Sequence, residues 1–257
     1  MKQRESGFLV LGSWSRVAGA LVRLGLVLGL GALLPAAGAA EHVTNSVSLL
    51  PNGGFEQVDP ADPSKPAHWD KLDGLGVQWV QAEGSGSGKA IRMDTAQTEK
   101  AMVAQWRLKG IDKWDVPGAT GDPIAATYGL SYYSDPISVQ IGQAYRISFR
   151  WQGASGGIKV WVRGYGQLKG EERRLYDTIV NGRGGKEWTA QTQTFHPTRR
   201  TPAVTYVRVM LFAYWPPGVY WFDDVVITPV PMSEWEAEAG LSATNPPTAQ
   251  VPPAPAP

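Results

Sequence analysis

Tryptophan, tyrosine and arginine fall at every second position in two stretches of this chain. In Lys159-Val160-Trp161-Val162-Arg163-Gly164-Tyr165 they alternate with small or aliphatic residues, and Thr205-Tyr206-Val207-Arg208-Val209-Met210-Leu211-Phe212 repeats the pattern. A period of two sends successive side chains to opposite faces of a strand. Burying Val160, Val162, Val207, Val209 and Leu211 therefore turns Trp161, Arg163, Tyr165, Tyr206 and Arg208 outward. Ala144–Trp151 turns Arg146, Ser148 and Arg150 outward if Ile147, Phe149 and Trp151 are core. Met102–Leu108, read as a further strand, exposes Gln105 and Arg107 if Ala104 and Trp106 are buried. A face of this composition suits sugars. A pyranose stacks its C–H face on an aromatic ring, and its hydroxyls pair with arginine and glutamine. Several arginines also favour a uronate or sulfate, because guanidinium pairs anions bidentately. The same pattern fits a plain sheet surface, with Met210 and Phe212 covered by a second layer and the arginines serving as cross-strand partners.

Catalytic constellations are sparse. The chain has 3 histidines, His42, His68 and His196, none in a strand pattern. A general base beside a charge-neutralising group is what a lyase would need. Glu171-Glu172-Arg173-Arg174 reads as a solvated turn, and the sequence contains no Gly-x-Ser-x-Gly, His-Glu-x-x-His or phosphate loop.

The elements that must position these residues lie between two terminal segments of different character. Residues 1–40 carry Lys2, Arg4, Arg16 and Arg23, then the apolar run Leu24–Leu34, then Pro35-Ala36-Ala37-Gly38-Ala39-Ala40. This is the layout of a secretory signal peptide, with a core too short to span a bilayer. Its removal, which takes Glu5 as well, changes 24 basic and 23 acidic residues to about 20 and 22. No basic excess remains for nucleic acid. With 0 cysteines the chain has no disulfide, so its exported form must be held by core burial, by metal or by both. Residues 231–257 form a proline- and alanine-rich tail with a short helix over Ser233–Leu241. Residues 47–230 remain as one domain. Glycine-rich turns at Gly153–Gly157, Asn181–Gly185 and Trp215–Gly218 separate its strands, which indicates an antiparallel sandwich or barrel. About 27 residues between Leu108 and Pro136 carry Trp114, Tyr128, Tyr132 and Tyr133. So aromatic a loop is expected to pack over a sheet edge or the mouth of a groove.

Six short segments occur in a telling order: Asn52-Gly53-Gly54-Phe55-Glu56, Pro66-Ala67-His68-Trp69, Ser87-Gly88-Lys89-Ala90-Ile91-Arg92, Gln143-Ala144-Tyr145-Arg146-Ile147-Ser148-Phe149, Lys186-Glu187-Trp188 with Thr194-Phe195, and Phe222-Asp223-Asp224-Val225. Together they resemble carbohydrate-binding modules of families four and nine, galactose-binding-like jelly rolls. The 109–135 loop departs from that pattern. The resemblance implies an all-β, antiparallel sandwich of jelly-roll type. It also implies a structural calcium held by the carboxylates of Glu56 and Asp223 with backbone carbonyls near Asn52 and Lys89, and Asp224 is the alternative to Asp223. Hard oxygen ligands of this kind suit calcium, and a clip between remote segments would replace missing disulfide constraint. The acids could equally cap turns.

The sequence thus describes an exported, non-catalytic module, secreted, periplasmic or at the cell surface, without a transmembrane helix in its mature form. It binds a polysaccharide, with an acidic glycan favoured by the arginines. A structural or adhesive sandwich and a jelly-roll polysaccharide lyase are the alternatives.

Overall fold

The computed structural model describes residues 47–82, 88–110 and 116–241. Residues 1–40, where the sequence suggests a signal peptide, Trp114 and the tail beyond residue 241 lie outside them. Ten strands follow in chain order: β1 Val77–Gln81, β2 Lys89–Asp94, β3 Leu130–Tyr133, β4 Ile137–Ser138, β5 Ala144–Gln152, β6 Ile158–Leu168, β7 Glu171–Asn181, β8 Thr189–Phe195, β9 Tyr206–Ala213 and β10 Val219–Val230. One sheet runs β1-β2-β10-β5-β8, the other β3-β9-β6-β7 with β4 also on β9. All the pairings are antiparallel. The chain is therefore an all-β sandwich of jelly-roll type, and none of its described helices is long and apolar enough to cross a membrane.

The alternation seen in the sequence is met strand by strand. Ile147, Phe149 and Trp151 of β5, Val160 and Val162 of β6, and Val207, Val209 and Leu211 of β9 are all buried between the sheets. Each such side chain contributes roughly 1.5–3 kcal/mol on leaving water. The N-terminal turn closes one end: Phe55 packs 4.8 Å from Trp69, and Trp69 stacks 5.4 Å from Tyr132. Hydrogen bonds from Leu49 N to Ile227 O and from Val225 N to Gly53 O tie this turn to β10. Gly53 is required there, since a Cβ would stand 1.7 Å from the Val225 carbonyl oxygen.

Met102–Leu108 corrects the strand expectation. It lies in α1, Glu99–Leu108, which the Thr98 hydroxyl caps by accepting from Ala101 N at 3.3 Å. Met102, Val103 and Trp106 are buried, a helical i, i+1, i+4 stripe, whereas Ala104 is exposed. Met102 and Trp106 sit four apart, which satisfies both periods, and the helix-forming run Glu-Lys-Ala-Met-Val-Ala-Gln decides for helix. The gap after α1 is packed where described. Glu99 is buried and accepts from Thr120 N at 2.7 Å, Ile124 is fully buried, and Leu130–Tyr133 supplies the edge strand β3. The helix expected over Ser233–Leu241 is α2, Met232–Glu238. It docks on the sandwich: Glu234 pairs with Arg146, and Glu238 accepts from Thr194 N at 3.0 Å.

Candidate saccharide-binding face

Strands β6 and β9 are neighbours, and their register sets the outward residues side by side: Trp161 opposite Met210, Arg163 opposite Arg208, Tyr165 opposite Tyr206. Trp161, Arg163, Tyr165, Tyr206 and Arg208 are all half-buried and alternate with buried valines and glycines. The Tyr165 and Tyr206 rings stack at 5.3 Å with 13° between planes, and the Arg163 guanidinium lies 5.0 Å from the Trp161 ring centre. Met210, at 5% exposure, is covered on this face as its type suggested. The face is continued by Tyr133 of β3, whose backbone stands opposite Met210 on the other side of β9. Arg163 Nη1 donates to the Tyr133 hydroxyl at 2.8 Å, and Arg208 lies 5.2 Å from the Tyr133 ring centre.

Two arginines directly opposite one another would repel. The structure offsets this with carboxylates on either side. Arg208 donates from Nη2 to Asp70 at 2.8 Å and from Nε to the Ser134 carbonyl at 2.6 Å. Arg163 Nε stands 3.5 Å from Asp177, which also takes Arg174 at 3.3 Å. Burial pushes the Tyr133 hydroxyl above the ordinary tyrosine value, against the opposing pull of Arg163 and Arg208. It is accordingly a neutral phenol at physiological pH, able to donate to a hydroxyl and poorly suited to act as a base. Burial raises Tyr206 likewise, with the hydrogen bond and charge of Glu172 adding to it.

Three residues grouped with this face by sequence stand elsewhere. Arg150 lies on β5, in the other sheet, 3.5 Å from Asp224 and 5.4 Å from the Trp188 ring centre. Alternation tells inward from outward but not which sheet a strand joins. Gln105 and Arg107 are exposed on α1, for the reason of period given above. Conversely Asp70, Tyr133 and Asp177 belong to the face and were missed. They reach it through non-local pairing, although the tyrosine-rich gap signalled Tyr133. Of the histidines described, His68 stands 3.6 Å from Asp135 with both side chains about half exposed. His196 is buried beside α2, edge-on to Trp235 at 5.3 Å.

Of the calcium ligands implied by the resemblance, Glu56 meets Lys89 at the start of β2, and Asp223 lies within β10. Glu56 is exposed, and its Oε1 accepts from Lys89 N at 2.9 Å. Asp223 is fully buried and its Oδ1 accepts from Asp224 N at 2.7 Å. Asp224, at the bulge of β10, shares a surface groove with Asn52, Gly53, Gly54 and Glu56. Two carboxylates in one groove suit a hard cation. The Asn52 carbonyl accepts from Phe55 N at 3.1 Å and from Trp69 Nε1 at 3.2 Å. No group of three or more acids and histidines is assembled among the described residues.

No family model matches the chain, and no curated protein matches it. Solved structures do. A domain of tailspike protein 4 of bacteriophage CBA120 is 10% identical at TM-score 0.46, over 72% of this chain and 22% of that one. A family 61 carbohydrate-binding module in complex with β-1,4-galactotriose is 16% identical at TM-score 0.40, over 72% of this chain and 100% of that one. A family 4 module is 16% identical at TM-score 0.38, over 70% and 99%. At these values the likeness fixes no ligand, and the fold stands on the strand order itself. The chain is a jelly-roll sandwich similar in fold to carbohydrate-binding modules.

Proposed function

We propose that this chain is an exported, non-catalytic module that binds a polysaccharide along the outer face of β6 and β9. One observation carries the reading. The Tyr165–Tyr206 stack, the Arg163–Arg208 pair under Tyr133 and the Trp161 indole form a continuous half-buried surface on adjacent strands. Rings offer stacking, and arginine–carboxylate pairs offer both donors and acceptors to sugar hydroxyls.

The charge pattern supports a neutral glycan over an acidic one. Arg208 already holds Asp70, and Asp177 lies between Arg163 and Arg174. A uronate would have to compete with those carboxylates and approach them closely. Calcium at the Glu56–Asp224 groove, away from this face, is proposed as a structural ion. The export reading rests on residues 1–40 and extends to a secreted or cell-surface location.

Binding of the mature chain to an array of neutral and acidic polysaccharides tests this reading. Trp161→Ala should weaken the strongest binder about tenfold, the scale of a lost stacking aromatic. Absence of binding to every glycan would favour the structural or adhesive alternative, for which the internal pairing of both arginines already speaks. Absorbance from an unsaturated uronate product would establish the lyase.

A further inference from the structure

The opposite side of the sandwich holds a second aromatic arrangement that the β6–β9 face does not use. Trp221 sits on β10, in the middle of the five-stranded sheet, opposite Gln152 of β5 on one side and Arg92 of β2 on the other. Trp188 immediately precedes β8 at the edge of the same sheet. The two indoles, both half-buried, line a cavity of about 310 Å³ with Gln81, Ala82 and Gln152. Gln152 Nε2 donates to the Lys186 carbonyl at 3.3 Å and so ties the segment bearing Trp188 to β5. The Arg150 guanidinium lies 5.4 Å from the Trp188 ring centre. The Trp188 indole N–H is buried without a hydrogen-bond partner among the described residues.

We propose that this cavity is a second saccharide-binding site, for a single neutral pyranose unit of a glycan chain. Its size lies at the small end of pockets that hold small molecules, which argues for one ring rather than a peptide. Two indole faces provide stacking surface, and two carboxamides supply both donors and acceptors for hydroxyls. Among the described residues its lining carries no charged side chain, which favours a neutral sugar. The proposal rests on residues separate from those of the β6–β9 face. With both sites the module is bivalent, and one site raises the effective concentration of a polymer at the other.

The experiment uses the chain from residue 41 labelled with 5-fluorotryptophan; of the 11 tryptophans in the sequence Trp14 is lost with residues 1–40, and the other 10 give fluorine resonances assigned by single substitutions to phenylalanine. The probes are cellohexaose, xylohexaose and β-1,4-galactotriose at millimolar concentrations. The expected result is saturable movement of the Trp188 and Trp221 resonances with at least one probe. Trp221→Ala should weaken the Trp188 titration about tenfold, and Gln81→Ala, which leaves the Gln152 tie to the Trp188 segment intact, should weaken it severalfold. The Trp161 resonance reports the β6–β9 face in the same tube. Movement of Trp161 with immobile Trp188 and Trp221 overturns the second site alone. Immobility of all three overturns both sites for these neutral glycans.

Discussion

Asp70→Asn is the sharpest test of how charge is arranged on the β6–β9 face. The carboxylate accepts from Arg208 Nη2 at 2.8 Å, with side-chain exposures of 26% for Arg208 and 47% for Asp70. A pair this accessible contributes about 0.5–1 kcal/mol to stability, so the variant should fold and melt only slightly lower. Arg208 should also stay in place, because its Nε remains bonded to the Ser134 carbonyl at 2.6 Å. What changes is the charge beside Nη2: the amide oxygen can still accept from it, but the carboxylate that competes with an anionic ligand is gone. A guanidinium freed of its carboxylate gains a charge-assisted hydrogen bond to an anionic ligand, worth about 1.5–3 kcal/mol before solvent screening. Discounting for the partial exposure leaves roughly 1–1.5 kcal/mol, or about tenfold, in favour of acidic oligosaccharides. Isothermal titration of wild type and variant against a matched pair, xylohexaose and a glucuronate-substituted xylo-oligosaccharide, reads the change in preference. The neutral ligand should lose little. An unchanged ratio of affinities would show that Arg208 does not meet ligand, and a wild type that already prefers the acidic chain would refute the neutral reading.

Three further outcomes are expected. EDTA should lower the melting temperature by about 5–10 °C and calcium should restore it, as for a ligand that adds roughly 2.7 kcal/mol to the folded state; Glu56→Gln and Asp224→Asn should each abolish the response, and an unchanged curve with no metal by elemental analysis removes calcium. Gly53→Ala should destabilise the domain by several kcal/mol, because its Cβ would stand 1.7 Å from the Val225 oxygen and force the turn off β10; a melting temperature within a degree of wild type would contradict that close approach. His196 is held below the ordinary histidine value by burial and then by Arg199, so the unfolded chain takes up a proton that the folded one refuses; stability should be full above pH of about 6.5 and fall as pH drops below it, and His196→Gln should flatten that slope in melting curves between pH 7.5 and 5.

The fold was legible because its signals are local. Val160, Val162, Val207 and Val209 alternate with polar and aromatic residues, and each lands between the sheets as the period dictates. Where the period was ambiguous the reading failed: Met102 and Trp106 are compatible with both strand and helix, and only the cap at Thr98 and the run of helix formers separate the two. With them went Gln105 and Arg107. Alternation likewise sent Arg150 outward without saying from which sheet, since sheet membership depends on pairings between residues as distant as Trp221 and Gln152.

The candidate site shows the same division at finer scale. Trp161, Arg163, Tyr165, Tyr206 and Arg208 could be grouped because two strands share one pattern, and the register places them in adjoining pairs. What could not be read is how their charges are balanced. Asp70 comes from the segment after Trp69, Asp177 from β7 and Tyr133 from a gap that looks like loop. Those three decide the chemistry more than the arginines do. Unpaired, Arg163 and Arg208 would form a cationic patch that selects uronates; flanked by carboxylates and topped by a neutral phenol, they become an array of donors and acceptors suited to hydroxyls. The ligand preference proposed for this face thus rests on long-range contacts that carry no local periodicity, which is why composition suggests an acidic glycan whereas the proposal from the paired charges is a neutral one.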